Sequence, residues 1–290
     1  MSATFLQALL SGLVLGSIYA IVASGLSLVF GVMKIINFAH GQFLMLGLYL
    51  TYWLYRLFDL HPYASAPIVV GVMFLVGFVV SRWILEPILG TDPLTYLLTT
   101  FGLALILENG ALMLWSHDYR SVPLQFAVRG FNVLGARLST PQAVLLVGTV
   151  ITLAVLFYIL LRTRTGLAIR AVAQNWESAE LAGINVRRTF ALAVAIGTAL
   201  VGAAAVLMIP IYFVFPGVGT IYTVMAFVVV VLGGLGSIAG AVVGGLIIGV
   251  AEILAGTYLS VELARSITFL IFLAILFFRP LGLFGQSARV

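Results

Sequence analysis

A chain of 290 residues in which 63% are hydrophobic and 8% charged is excluded from the soluble domains, whose charged residues make up nearer a quarter of the chain. The net charge of +5 reads as loops held at the cytoplasmic face of a membrane, because Lys and Arg collect there, so lipid is the expected surround and nucleic acid is not an expected partner. No cysteine is present, which excludes disulfides, thiolate metal sites and cysteine nucleophiles; His40, His61 and His117 fall in separate segments without a second ligand at helical spacing, so no metal is expected either.

Apolar runs near or above the ~20 residues that carry a helix across hydrocarbon define an all-α, polytopic membrane protein, one transmembrane domain over 1–290. The first run, within "MSATFLQALLSGLVLGSIYAIVASGLSLVFGV", is too long and lacks the basic start of a cleavable signal, so it is expected to be a retained span. Further segments follow at 41–58, 64–85, 93–115, 141–161, 189–213, 219–234, 238–256 and 263–279. That makes about eight or nine transmembrane helices, the count depending on interruptions near 34–43 and 233–240. With the N-terminus outside and nine crossings, the inner side holds Lys34, Arg82, Arg162, Arg164, Arg170, Arg187, Arg188, Arg279 and Arg289. The outer side keeps Arg56, Arg120, Arg129, Arg137 and Arg265. Nine against five supports this orientation.

The first interruption, "KIINFAHGQF", carries Asn37, His40, Gly41 and Gln42 between apolar runs. One reading is a cytoplasmic turn with Lys34 snorkelling to the headgroups. The favoured one is a broken helix, because backbone that leaves the helix within a bilayer needs polar partners or a water-lined cavity, and Asn, His and Gln side chains supply them. The linker 116–140 has mixed polarity and is expected on the outer face. The acids Glu108 and Glu252 lie in apolar surroundings within about two turns of expected helix ends, where snorkelling accounts for them.

The stretch 162–188 holds five arginines and is expected in the cytoplasm. It reads as a short helix, with Ala168, Ala171, Ala173 and Ala179 as good helix formers, that exposes Glu177 and Glu180, is ended by Gly183, and has nothing of its own to bury against. A membrane-surface role is disfavoured by the lack of Trp, Phe or Leu along one face, which leaves insertion into a partner. The second interruption, in "VLGGLGSIAGAVVGG", repeats glycine at intervals of four, a pattern that lets helices approach closely in lipid. Its "GGLGS" lacks the lysine of a phosphate loop, so no ATP site is expected on this chain. Paired interruptions in two halves are also how transporters build a path near the midplane.

"GLAIRAVAQNWESAELAGINVRRTFALAVAIG" resembles the cytoplasmic coupling loop of LivH-type permease subunits of bacterial branched-chain amino acid ABC importers. "GLVLGSIYAIVASGLSLVFGVMKIINFAHGQFLMLGLYL" resembles that family's first spans and "VLGGLGSIAGAVVGGLIIGVAE" its C-terminal signature. The resemblance covers nearly the whole chain. It implies a permease domain in the bacterial inner membrane, partnered by a LivM-like second permease, two LivG/LivF-like ATPases that hold the ATP and Mg, and a periplasmic solute-binding protein. No cofactor would be bound by this chain, and it would not itself be an enzyme. The resemblance places Arg170, Ala173, Asn175, Glu177, Ala179 and Gly183 in the element that docks on an ATPase. Asn37, His40, Gly41 and Gln42, with Gly233, Gly234, Gly236 and Ser237, would flank the substrate path. Relatives of the family serve urea, amides and aromatic acids as well as branched-chain amino acids, so the solute stays open. Selectivity is expected mainly in the binding protein, because few fixed charges are available here to grip a zwitterion. The rival is an ATP-independent secondary transporter or facilitator, which would need coupling carboxylates deep in the membrane.

Overall fold

The computed structural model describes residues 3–122, 130–133 and 135–285; Arg129, Arg289 and the middle of the linker 116–140 lie outside the described residues. The helices, in order, are α1 (Ala3–Met33), α2 (His40–Phe58), α3 (Ala66–Val80), α4 (Pro93–Trp115), α5 (Thr140–Arg162), α6 (Arg164–Gln174), α7 (Trp176–Leu181), α8 (Val186–Met208), α9 (Val218–Gly233), α10 (Ile238–Tyr258) and α11 (Val261–Phe278). A 3₁₀ turn at Pro62–Ser65 and a π turn at Ser81–Leu85, with a further 3₁₀ turn at Glu86–Ile88, extend α3 into one 27-residue unit. Among the described residues, seven helical units are long and apolar enough to cross a membrane, and α9 is a shorter apolar helix. This is a multi-pass membrane protein. Each of the nine segments expected from hydropathy is helical, with ends displaced by a few residues.

One addition breaks the all-α pattern. Gly130–Val133 (β1) pairs antiparallel with Ala136–Ser139 (β2), with Phe131 opposite Leu138. Gln7 of α1 fixes this hairpin through both halves of its amide: Nε2 donates to the Arg137 carbonyl at 3.1 Å and Oε1 accepts from the Arg137 N–H at 2.8 Å. Ser139 and Gln142 then form a reciprocal capping box that starts α5. The hairpin marks one end of the bundle; α6, α7 and the start of α8 mark the other, arginine-rich end.

α1 and α8 form the buried centre, and α4, α5 and α11 surround it with exposed apolar side chains such as Ile106, Val150 and Phe277. In lipid such surface needs no protein cover, so packing is decided by shape. The seam between α1 and α10 shows this. A Cβ on Gly249 would lie 2.2 Å from the Gly16 nitrogen, and one on Gly245 2.6 Å from the Ala20 nitrogen. The four-residue glycine spacing read from the sequence is thus a backbone-to-backbone contact.

The two interruptions differ in kind. After Met33 the chain turns at Lys34 (φ +56°), and residues 34–39 run back into the bundle. The Asn37 Oδ1 accepts from the Ala39 N–H at 3.0 Å, and α2 starts at His40. His40 Nε2 lies 3.0 Å from the carbonyl oxygen of Val22, eleven residues before the end of α1 and so roughly 16 Å inward along the helix axis. This is a re-entrant segment. At the second interruption α9 ends at Gly233 and α10 begins at Ile238, a tight turn with φ of +104° at Gly234 and +83° at Gly236. That turn stays at the arginine-rich end, where Gly236 packs against Gly31.

Candidate functional site

The polar residues of the re-entrant segment are buried: Asn37 is 2% exposed, His40 1% and Gln42 1%. Each buried polar group needs a partner, or its desolvation is uncompensated. The first turn of α2 finds its partners on α4 and α9. Gln42 Nε2 donates to Glu108 Oε2 at 2.9 Å and to Thr220 Oγ1 at 3.0 Å, while the Thr220 hydroxyl donates to the same Glu108 oxygen at 2.7 Å. The N–H of Gly41 donates to Thr223 Oγ1 at 3.0 Å. The Thr223 hydroxyl in turn donates to the Gly219 carbonyl at 3.0 Å and reaches the Phe38 carbonyl at 3.4 Å. Three elements are therefore joined by one polar knot at the start of α9. Gln42 Oε1 is buried there without a partner.

Only Gly fits at 41. An added Cβ would lie 2.1 Å from the Gly219 carbonyl oxygen and 2.3 Å from Thr223 Oγ1, a contact with backbone that no rotamer relieves.

Glu108 therefore does not snorkel alone towards headgroups, as its position in the sequence suggests; its carboxylate is bonded inward to α2 and α9. The reason is that α9 begins partway into the bundle and brings Thr220 to it. Glu252 is likewise engaged, accepting from the Tyr19 hydroxyl at 2.9 Å. Thr220 and Thr223 are the members of this polar knot that reading the sequence missed. The available signal was their spacing just after the Gly217–Gly219 turn, which puts hydroxyls on the first turns of a helix otherwise apolar.

The glycines of the second interruption are placed elsewhere. Gly233, Gly234, Gly236 and Ser237 lie at the arginine-rich end of α9, and Gly219, the neighbour of Gly41, lies near its opposite end, roughly 21 Å away along the helix. They are closed by the chain's own C-terminal segment: Leu283 N–H donates to the Leu232 carbonyl at 2.9 Å and Phe284 N–H to the Gly233 carbonyl at 3.0 Å. Ser237 caps α10 through the Gly240 N–H at 3.1 Å. The two groups that the sequence reading sets beside the path thus lie at different depths of the bundle.

The stretch 162–188 folds as two short helices, in place of the single helix expected through Ala168–Ala179 to Gly183. Asn175 makes the elbow. It ends α6, its extended backbone (φ −156°, ψ 109°) breaks the helix, and its Oδ1 caps α7 by accepting from the Ser178 N–H at 2.8 Å. Nor is the stretch without a core of its own, because α6 buries Ile169 and Val172 against the bundle and α7 buries Ala179. Gly183 ends the unit at φ +83°. Arg170, Glu177 and Glu180 are exposed and Ala173 is half-buried. Apolar groups that the single-helix reading did not put on a surface are exposed too: Trp176 at 52% and Leu181 at 92%.

Residues 8–276 match the family described as branched-chain amino acid transport system, permease component. The chain is 33% identical, over 97% of its length and 96% of the relative's, to the LivH high-affinity branched-chain amino acid transport permease of Salmonella typhimurium. It is 32% identical to the BraD permease of Pseudomonas aeruginosa, again over 97% of this chain and 96% of the relative. A third relative, a probable LivH permease of Methanocaldococcus jannaschii, is 28% identical over 94% of this chain and 90% of its own length. No solved structure matches the chain. With nearly every span inside the matched region, the chain belongs to the permease-component family of branched-chain amino acid transport systems and is a transport subunit.

Proposed function

We propose that the chain forms half of the translocation pathway of an ATP-driven bacterial importer for branched-chain amino acids or a related small solute. The hairpin end is then the outer face, with the linker 116–140, and the arginine-rich end with the loop 162–188 is cytoplasmic. The observation that carries this reading is the exposed α6–α7 elbow of a multi-pass permease. It is packed against the bundle by Ile169, Val172 and Ala179, yet presents Trp176, Leu181, Glu177 and Glu180 to whatever lies below. A rigid lever with an apolar and acidic tip is what a partner ATPase needs to move the attached spans between two arrangements. Arg170, Ala173, Asn175, Glu177, Ala179 and Gly183 build that lever. ATP and Mg belong to the partners, two LivG/LivF-like ATPases, and a LivM-like permease and a periplasmic binding protein complete the complex in the inner membrane. Asn37, His40, Gly41 and Gln42 build the buried segment that flanks the path at mid-depth. Gly233, Gly234, Gly236 and Ser237 form the hinge between α9 and α10 on its cytoplasmic side.

The test compares the tagged wild-type chain with Glu177→Arg after purification from its native membrane in mild detergent. Wild type is expected to bring down ATPase subunits and ATP hydrolysis, and the charge reversal to lose both while the chain keeps its thermal stability. Wild type purifying alone from otherwise intact membranes, without hydrolysis, would put a stand-alone transporter first. In the assembled complex, His40→Ala is expected to lower uptake and spare ATPase docking; full uptake would remove His40 from the path.

A further inference from the structure

A cavity of about 330 Å³ lies between α1, α9, α10, α11 and the connection that leads from α8 into α9. Its wall includes Tyr19, Tyr212, Phe215, Tyr222, Glu252 and Arg265. The volume is at the small end of ligand pockets, suited to a single small molecule. The wall carries one carboxylate and one guanidinium. Glu252 and Arg265 do not close on each other: among the described residues the ion pair is Arg82–Glu86 alone, so the two charges stand more than 4.0 Å apart. The Tyr19 hydroxyl binds Glu252 at 2.9 Å and fixes the orientation of the carboxylate. Tyr19 and Tyr222 meet edge to face with ring centroids 5.9 Å apart and form an aromatic part of the wall. Opposite charges held apart around an aromatic surface complement a zwitterion with a flat apolar substituent. An ammonium is matched by a carboxylate, a carboxylate by the planar fork of arginine, and an aromatic ring by edge-to-face partners. Urea or an amide carries neither charge and gives the pair nothing to bind.

We propose that this cavity is a binding site for a zwitterionic α-amino acid with an aromatic side chain, its ammonium on Glu252, its carboxylate on Arg265 and its ring against Tyr19 and Tyr222. The site deepens the importer reading and rests on it for its place on the outer half of the path; the binding itself does not. It also moves part of the selectivity from the solute-binding protein, where the sequence put it, into the permease.

The full chain in nanodiscs is titrated with L-phenylalanine, L-leucine, 3-phenylpropanoate, which lacks the ammonium, phenethylamine, which lacks the carboxylate, and acetamide. L-phenylalanine is expected to bind about tenfold or more tighter than either single-charge analogue, a few-fold tighter than L-leucine, and far tighter than acetamide. Glu252→Gln, which keeps an acceptor for the Tyr19 hydroxyl, is expected to bring L-phenylalanine down to the level of 3-phenylpropanoate without changing 3-phenylpropanoate. Arg265→Met, at an exposed position, is expected to bring it down to the level of phenethylamine. L-phenylalanine binding no tighter than the two analogues, or unaffected by both variants, overturns the site, and L-leucine binding tighter overturns its aromatic assignment. The two readings fail separately. If ATPase subunits come down with the chain while binding ignores both charges, this site falls and the importer stands. If binding follows both charges while no ATPase is ever recovered, the importer falls and the site stands.

Discussion

The two breaks in the helical pattern show two ways a membrane protein can interrupt a helix. The break at 34–39 carries backbone deep into the bundle, where water cannot serve it, and side chains of the segment and of its neighbours help to answer it and the first turn of α2: the Ala39 N–H donates to Asn37, the Gly41 N–H to Thr223, and His40 meets the Val22 carbonyl, beside a backbone bond from the His40 N–H to the Asn37 carbonyl. The break at 233–237 stays at the end of the bundle and is answered by backbone, through the N–H groups of Leu283 and Phe284, and by the cap from Ser237. Depth dictates the chemistry. Inside lipid a polar residue is retained only where a free backbone group or another polar residue needs it; near the interface glycine suffices, because close approach and a left-handed φ are all the turn requires.

This contrast is broken most severely at Gly41. Gly41→Val drives a branched Cβ into the Gly219 carbonyl and is expected to cost about 3 kcal/mol or more, seen as a large fall in the melting temperature of the purified chain. Gly110→Ala in α4, where an added Cβ meets nothing within 4 Å, serves as the control, and its stability is expected to hold or rise slightly. If both variants melt like wild type, the tight fit of the re-entrant segment is wrong.

Gly234→Val tests the second break. It combines a φ of +104° with an added Cβ 2.6 Å from the Gly285 nitrogen, and about 2 kcal/mol of destabilisation is expected. The loss should be smaller than at Gly41, because the obstructing backbone belongs to a C-terminal segment that can move away. An equal or larger effect would mean that this segment is as fixed as the bundle interior.

The polar knot is sharpened by a double-mutant cycle. Gln42→Ala and Glu108→Gln are each expected to destabilise, and the pair by less than the sum, with a coupling of about 1–2 kcal/mol for a charge-assisted bond inside the bundle. Strict additivity in thermal unfolding would show that Gln42 and Glu108 act independently.

Much of this fold was legible in the sequence, for physical reasons specific to lipid. Apolar runs must be helical to satisfy their own backbone, so α4 and α10 start where hydropathy puts them, at 93 and 238. The glycines at 245 and 249 announced a close helix seam and formed one with α1. What stayed hidden depends on partners remote in sequence. Nothing local to Glu108 shows that Gln42 and Thr220 will bond it, because those contacts cross three helices, and its distance from a helix end suggested solvent instead. The elbow at Asn175 was hidden in another way. Its alanines favour one continuous helix, and a single side-chain cap overrides them. The hairpin 130–139 was obscured by its brevity, since four-residue strands with arginine and asparagine carry little pattern.

The mildest test falls on Ser237. Its hydroxyl accepts from the Gly240 N–H at 3.1 Å and starts α10, and substituting such a cap by alanine costs typically ~1 kcal/mol. Ser237→Ala is therefore expected to lower the melting temperature by a few degrees only, since the shift for 1 kcal/mol shrinks as the chain grows. Uptake should persist, because the α9–α10 seam that holds the turn is made of backbone: a Cβ on Gly240 would lie 2.1 Å from the Gly233 carbonyl oxygen. Uptake lost with stability nearly intact would give this turn more than a structural part. It would make the hydroxyl a member of the cytoplasmic hinge, and would bring the second break functionally closer to the first than their separation along α9 suggests.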